Sequence, residues 1–421
     1  MKGFALASCI AAAAAAPAAD FSFDMGRYQK QPYEVGGYFQ GSAEHIELDD
    51  GAALSALRFP AGAPAAGRRY RGVLEVSGLY RLQGLTFKGL FHAEALDDVA
   101  GSTDDAAFYE GYVEGRPAPR WTLSLGKRAL RWGKGYAFTT VGFVERAKDA
   151  TDPDLAREGF KVAAVEYVRS AGGPLQTLSL TALALPVRGT LNDDFGATDD
   201  TNLAARLYLL YRDTDIDLMV RTGDSRPDAV GLDFSRNLAP HFAIHGEVAW
   251  QHERRRPVLD PANRLRPREA EGADWLLGLR YLTATETTWI AEYYHNGAGY
   301  SSQEMRRFYA LARSASDDPA LRPAARGALE AGYGRPQAMR DYVYLKVSQK
   351  EPFDALYWNA GLTAIVNLHD ASASVIPEVV YAGLENVELR GRIGLLAGGR
   401  DSEFGERQND WRAELRLRYF F

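Results

Sequence analysis

Arginine recurs on one parity near the carboxyl end: Arg390 and Arg392 in one stretch, Arg412, Arg416 and Arg418 in the next. Side chains alternate faces along an extended chain, so each set shares one face. Such a face lowers the electrostatic barrier to anions, unless neighbouring carboxylates, Glu388 and Glu414 among them, pair with it and brace it. A second charged stretch runs from Trp132-Gly133-Lys134-Gly135-Tyr136 through Val144-Glu145-Arg146-Ala147-Lys148-Asp149 to Asp152-Pro153-Asp154. The glycines beside Lys134 allow a sharp backbone turn. No Ser or Thr follows them and no βαβ unit flanks them, so this is not a phosphate loop. Catalytic sets are thin. His295 near Ser301 and Ser302 comes nearest to a base beside a nucleophile. His245 and Glu247 share a face, but no third ligand completes a metal site there. No cofactor motif stands out, and acidic residues interleave with the basic ones, which argues against nucleic-acid binding.

These side chains need strands to carry them. From Trp411 to Phe421 one parity reads Trp, Ala, Leu, Leu, Tyr, Phe and the other Arg, Glu, Arg, Arg, Phe. The same alternation predicts strands over about 33–45, 69–81, 85–95, 106–116, 121–131, 160–169, 175–186, 202–212, 215–222, 229–236, 242–252, 274–282, 287–296, 341–349, 356–367, 373–382, 387–396 and 411–421. Short connections rich in turn residues, such as Gly172-Gly173-Pro174, alternate with mostly long ones: roughly 46–68, 132–159, 187–201, 253–273, 297–340 and 397–410. Within 297–340, the spacing of Met305, Phe308, Leu311, Leu321, Ala324 and Leu329 is helical. About eighteen up-and-down strands with one apolar face describe an antiparallel barrel with hydrocarbon outside and water inside.

Composition agrees. The chain has 421 residues, 25% of them charged, and a net charge of −6. No apolar run beyond the amino terminus is long enough for a membrane-spanning helix. Residues 1–18, with Lys2, an alanine-rich apolar run and Ala16-Pro17-Ala18, are expected to be a signal peptide, which leaves 19–421 as the barrel. The lone cysteine, Cys9, lies inside that leader, so no disulfide would hold the exported chain.

The terminal Phe421, Tyr419 two residues before it, and Leu417 and Leu415 beyond resemble the assembly signal of Gram-negative outer-membrane β-barrels, and the layout is similar to that of porins. The resemblance implies an all-β transmembrane barrel in the bacterial outer membrane, with lipid and the barrel-assembly machinery as partners. It implies long outer loops and a third loop folded inward as a constriction carrying Lys134, Tyr136, Glu145, Arg146, Lys148, Asp149 and Asp152. Arg206, Arg280, Arg390, Arg392, Arg412, Arg416, Arg418 and Glu247 would then line the pore. The function implied is passive diffusion of small hydrophilic solutes, anionic ones if the arginine bias counts. The alternative is a non-conducting barrel that serves as scaffold in an export, surface-assembly or electron-transfer complex.

Overall fold

The computed structural model describes residues 31–196, 199–270 and 272–421; the expected signal peptide, 1–18, lies outside them. The strands are β1 (Tyr33–Leu48), β2 (Ala66–Leu82), β3 (Leu85–Asp98), β4 (Gly101–Ala118), β5 (Trp121–Arg128), β6 (Phe160–Ser170), β7 (Leu175–Val187), β8 (Asp200–Tyr211), β9 (Thr214–Thr222), β10 (Ala229–Ala239), β11 (Phe242–Gln251), β12 (Arg255–Leu259), β13 (Leu265–Glu269), β14 (Asp274–Leu282), β15 (Thr287–His295), β16 (Asp341–Lys350), β17 (Trp358–Asn367), β18 (Ala373–Leu384), β19 (Val387–Ala397) and β20 (Asn409–Phe420). Among the described residues the α-helices are α1 (Ala53–Arg58), α2 (Ser302–Asp317) and α3 (Arg322–Ala328). Eighteen strands form one antiparallel sheet; β12 and β13 make a separate hairpin. Pairing of β1 with both β2 and β20 closes the sheet into a barrel. Closure leaves no edge strand, the condition for a sheet to cross hydrocarbon. No helix among the described residues is long and apolar enough to cross a membrane, which says nothing against strands doing so.

Alternation sets the faces. On β20, Leu415 is 65% exposed and Arg416 only 2% exposed. Leu125, Leu203, Leu277, Leu362, Val379 and Ile393 face outward in the same way on other strands. A continuous apolar belt of this kind is untenable in water. In hydrocarbon each such leucine contributes about 1.5–3 kcal/mol relative to exposure. Aromatic residues Trp121, Trp250, Trp275, Trp289, Trp358 and Tyr419 are also outward and exposed, as interfacial anchors are. The carboxyl terminus takes part in closure: the Phe421 amide donates to Gly37 O at 3.0 Å, and the Gly37 amide returns a bond to Phe421 O at 3.1 Å.

Connections at one end are tight. Between β2 and β3 only Gln83 and Gly84 intervene, both at positive φ, the geometry that matches strand twist in two-residue hairpins. At the other end the loops are mostly long. Three of these connections are shorter than the alternation pattern implies. The sequence places a loop between strands ending at 95 and starting at 106, yet β3 and β4 continue to a two-residue turn at Val99-Ala100, pairing polar residues such as Asp97 with Ser102. Above the membrane neither face needs to be greasy, so pairing persists without apolar alternation. Residues 223–228 and 368–372 are likewise short. The helical spacing in the seventh outer loop corresponds to α2 and α3, with Ser301 and Glu304 forming a reciprocal capping box at the start of α2.

Candidate functional site

Residues 129–159, the third outer loop, fold into the barrel and span it from wall to wall. On one side, inward carboxylates of β11 and β15 hold the loop by its backbone. Glu247 Oε1 accepts the amides of Lys134 (2.6 Å) and Gly135 (2.7 Å), while Oε2 accepts the Thr140 amide (2.6 Å) and the Thr139 and Thr140 hydroxyls (3.2 Å each). Glu292 accepts the amides of Tyr136 and Ala137, and bonds His245 Nε2 at 2.8 Å. A β-carbon at Gly133 would lie 2.7 Å from Glu247 Oε1, and one at Gly135 would lie 2.3 Å from Phe138 O. Glycine is therefore required for the close approach to the carboxylate. The Lys134 ammonium reaches Asp217 on β9 at 2.9 Å, and Arg206 on β8 makes a bidentate pair with the same Asp217 at 2.7 and 3.0 Å.

On the opposite wall Arg390 of β19 lies directly across from Arg416 of β20, and Arg392 across from Glu414. Like charges in register repel. Asp152, at the far end of the loop, inserts Oδ2 between them, 3.1 Å from Arg416 and 3.7 Å from both Arg390 and Arg392. Glu414 completes the cluster, 2.5 Å from Arg392 and 2.8 Å from Arg416. Burial opposes the charge on Asp152, but the guanidiniums of Arg416 and Arg390 outweigh it and hold the carboxyl below its usual range. Elsewhere in the loop burial wins. It raises the Glu145 carboxyl despite Arg157 at 2.5 Å, and it lowers the Lys148 ammonium, which donates to Gly135 O.

The other residues singled out from the sequence are spread over the barrel. Arg412 lies 3.8 Å from Glu44, and Arg418 donates to Gln40 at 2.7 Å and stacks over the Tyr38 ring at 4.3 Å. Arg280 keeps the inward parity but sits exposed near the tight-turn end. The Tyr136 ring meets His245 edge-on at 5.3 Å. Asp149 caps its own turn through Thr151, and Arg146 pairs with Glu158 at 2.9 Å and with Asp194, away from the arginine wall. Lys134 and Tyr136 thus belong to one wall, Asp152 to the other. Ser301 is committed to capping α2, while His295 and His369 each bond Asp341 at 2.6 Å. Parity places Asp217 and Glu292 on the inner wall, but their hold on the third loop, and the part played by Thr139 and Thr140, was not foreseen. The available signal was inward carboxylates on neighbouring strands facing a glycine-rich stretch with unused amides.

Above the third loop the mouth is packed. Leu57 of α1, Phe138, Leu259 of β12, Met305, Phe308 and Leu311 of α2, Tyr333 and Phe404 belong to one buried apolar cluster. Open space remains beside it. A cavity of about 680 Å³ beside α1 and α3 has Arg58, Arg326, Arg335 and Arg407 and a single acid, Glu330, among its lining residues. A second, of about 500 Å³, shares Arg407 and adds Lys148, Asp149 and Arg412. A third, of about 530 Å³, lies on the other side of the loop, against β9, β11 and β14.

Closed strands, a lipid belt and an inward third loop together decide the class. The chain has the fold of a porin-like outer-membrane β-barrel. Solved structures agree on the fold. Wzi of Escherichia coli, described as an outer-membrane carbohydrate-binding β-barrel involved in group 1 capsule assembly, is 11% identical with a TM-score of 0.50, covering 90% of this chain and 83% of that one. OccAB3 of Acinetobacter baumannii is 9% identical with a TM-score of 0.50, covering 92% and 99%. A mutant of the Rh. blastica porin is 12% identical, covering 92% and 100%, but its TM-score of 0.40 carries no weight. No family model matches the chain, and no curated protein matches it either.

Proposed function

We propose that the barrel is a narrow diffusion channel for small hydrophilic anions. The observation that carries this reading is the run of guanidiniums from mouth to wall. Arg58, Arg326 and Arg335 line the outer cavity, Arg407 is common to it and the next, and Arg412 leads along β20 to Arg416 and its neighbours Arg392 and Arg390. Anions entering a low-dielectric passage gain most from such a row. Asp152 is the counter-ion that a permeant carboxylate or phosphate would displace in passing. In this reading residues 1–18 direct export, and the barrel-assembly machinery recognises the strand ending Tyr419-Phe420-Phe421.

A second reading has one observation in its favour. The apolar packing across the mouth suits a barrel that does not conduct but presents an outer surface within an assembly complex, as Wzi takes part in capsule assembly. Purified barrel in planar bilayers separates the two. Discrete single-channel steps support the channel, whereas silence together with co-purification of a partner protein supports the scaffold.

A further inference from the structure

The third cavity is lined by two arginines that make no ion pair among the described residues, Arg221, which is buried, and Arg226, which is half-buried. Arg221, one residue before the outer end of β9, is 4% exposed, and its Nε has no hydrogen-bond partner. Its Nη1 donates weakly to Phe143 O at 3.5 Å and its Nη2 donates to Pro227 O. Carbonyl dipoles orient a guanidinium but leave its full charge uncompensated. Arg226, in the loop after β9, lies over the Phe195 ring at 4.0 Å and donates from Nε to Phe195 O. Among the described residues neither arginine has a carboxylate within ion-pair distance. The acids that line the same cavity are already engaged: Asp274 by Arg254 at 2.6 Å, Glu145 by Arg157 at 2.5 Å, and Asp194 by Arg146. A buried charge without a partner is costly and is kept where a ligand supplies the opposite sign.

We propose that Arg221 and Arg226 form a binding site, reached from the outer side, for a small solute bearing a carboxylate or phosphate. The cavity of about 530 Å³ lies in the range of small-molecule sites and accommodates a sugar acid or sugar phosphate. Planar guanidiniums match both anionic groups: half-buried Arg226 presents the accessible edge, and Arg221, whose Nε is buried without a partner, adds its uncompensated charge beside it. The amide of Gln251 on the wall suits the neutral part of such a ligand, and the Thr139 and Thr140 hydroxyls, whose hydrogens go to Glu247, retain lone pairs that accept. The site lies across the third loop from the arginine row of β19 and β20 and does not require the barrel to conduct.

Isothermal titration of the refolded barrel with glucuronate, glucose 6-phosphate, inorganic phosphate and uncharged glucose tests this. Binding of at least one anionic probe, with no heat from glucose, is expected, and Arg221→Gln or Arg226→Gln should weaken it at least tenfold. Binding of phosphate alone would retain the anion site and restrict it to the free ion. Equal binding of glucose, or anion binding that survives both substitutions, would overturn the assignment, as would silence of every anionic probe. Should Arg221→Gln fail to fold, Arg226→Gln, in a loop outside the barrel wall, decides the matter alone.

Discussion

Replacing Glu247 with alanine should release the third loop from the β11 wall. The carboxylate accepts the buried amides of Gly135 and Thr140, the partly buried amide of Lys134, and two threonine hydroxyls. A buried donor left unsatisfied costs about 1–3 kcal/mol, so the two buried amides amount to about 2–6 kcal/mol and the partly buried one adds to that, toward the lower figure if water enters the vacated space. Glu292 still holds Tyr136 and Ala137, so the complete release is the double variant Glu247→Ala/Glu292→Ala. The barrel wall itself should survive, because both side chains point into the lumen and the strand ladders remain. Trypsin reads the outcome, since Arg131, Lys134, Arg146 and Lys148 all lie within the loop. A loss of even about 3 kcal/mol raises cleavage of a transiently opened segment about 100-fold, at roughly 1.4 kcal/mol per tenfold. Conductance should rise as well, since the loop no longer crosses the lumen. A folded double variant with unchanged trypsin resistance and unchanged conductance would refute the idea that these carboxylates pin the loop.

Three further outcomes follow from the same geometry. Leu415→Arg should cost about 2–4 kcal/mol in insertion, as a cation near the bilayer midplane does; refolding yield into vesicles measures it, and Arg416→Leu should insert with wild-type yield because its side chain faces the lumen. Asp152→Asn should strengthen anion selectivity by removing the counter-ion shared by Arg390, Arg392 and Arg416. Because the Asp152 carboxyl is held below its usual range, the stability its clamp adds is present above the ordinary carboxylate pKa and lost as pH falls through the depressed value; selectivity should therefore change only on strong acidification, and not in the Asn variant. Phe421→Ala removes the ring packed 5.3 Å from Phe39 at the closure seam, and the fraction migrating as folded barrel on unheated gels should drop.

The barrel was legible in the sequence because one physical demand, grease outside and water inside, acts on nearly every strand residue. All eighteen wall strands fall where alternation puts them, with ends displaced mainly where strands rise beyond the membrane, as in β1 to β4. The hairpin β12–β13 escaped notice: Pro257 and Pro267 sit opposite each other, and the arginines around them leave no apolar face. The short helix α1 was hidden inside a loop for want of enough turns to show a period. The inward course of the third loop was expected from resemblance alone. Its anchors join residues more than 100 positions apart, such as Thr140 and Glu247, and no local pattern encodes such a pairing. Inward charges such as Arg416 could be assigned a face, and Glu388 and Glu414 were legible as bracing partners; Asp152, 264 positions from Arg416, was not. Arg221 could likewise be placed on the inner wall, whereas its lack of a carboxylate emerges only once Asp194, Asp274 and Glu145 are seen to be occupied elsewhere.

The reversal potential of the wild-type barrel in a potassium chloride gradient tests the central reading most directly. A passage running beside Arg412, Arg416, Arg392 and Arg390 predicts a potential of the sign that marks chloride over potassium, reduced when Arg390 and Arg392 are both replaced by glutamine. A cation-selective potential, or one indifferent to those substitutions, would contradict it.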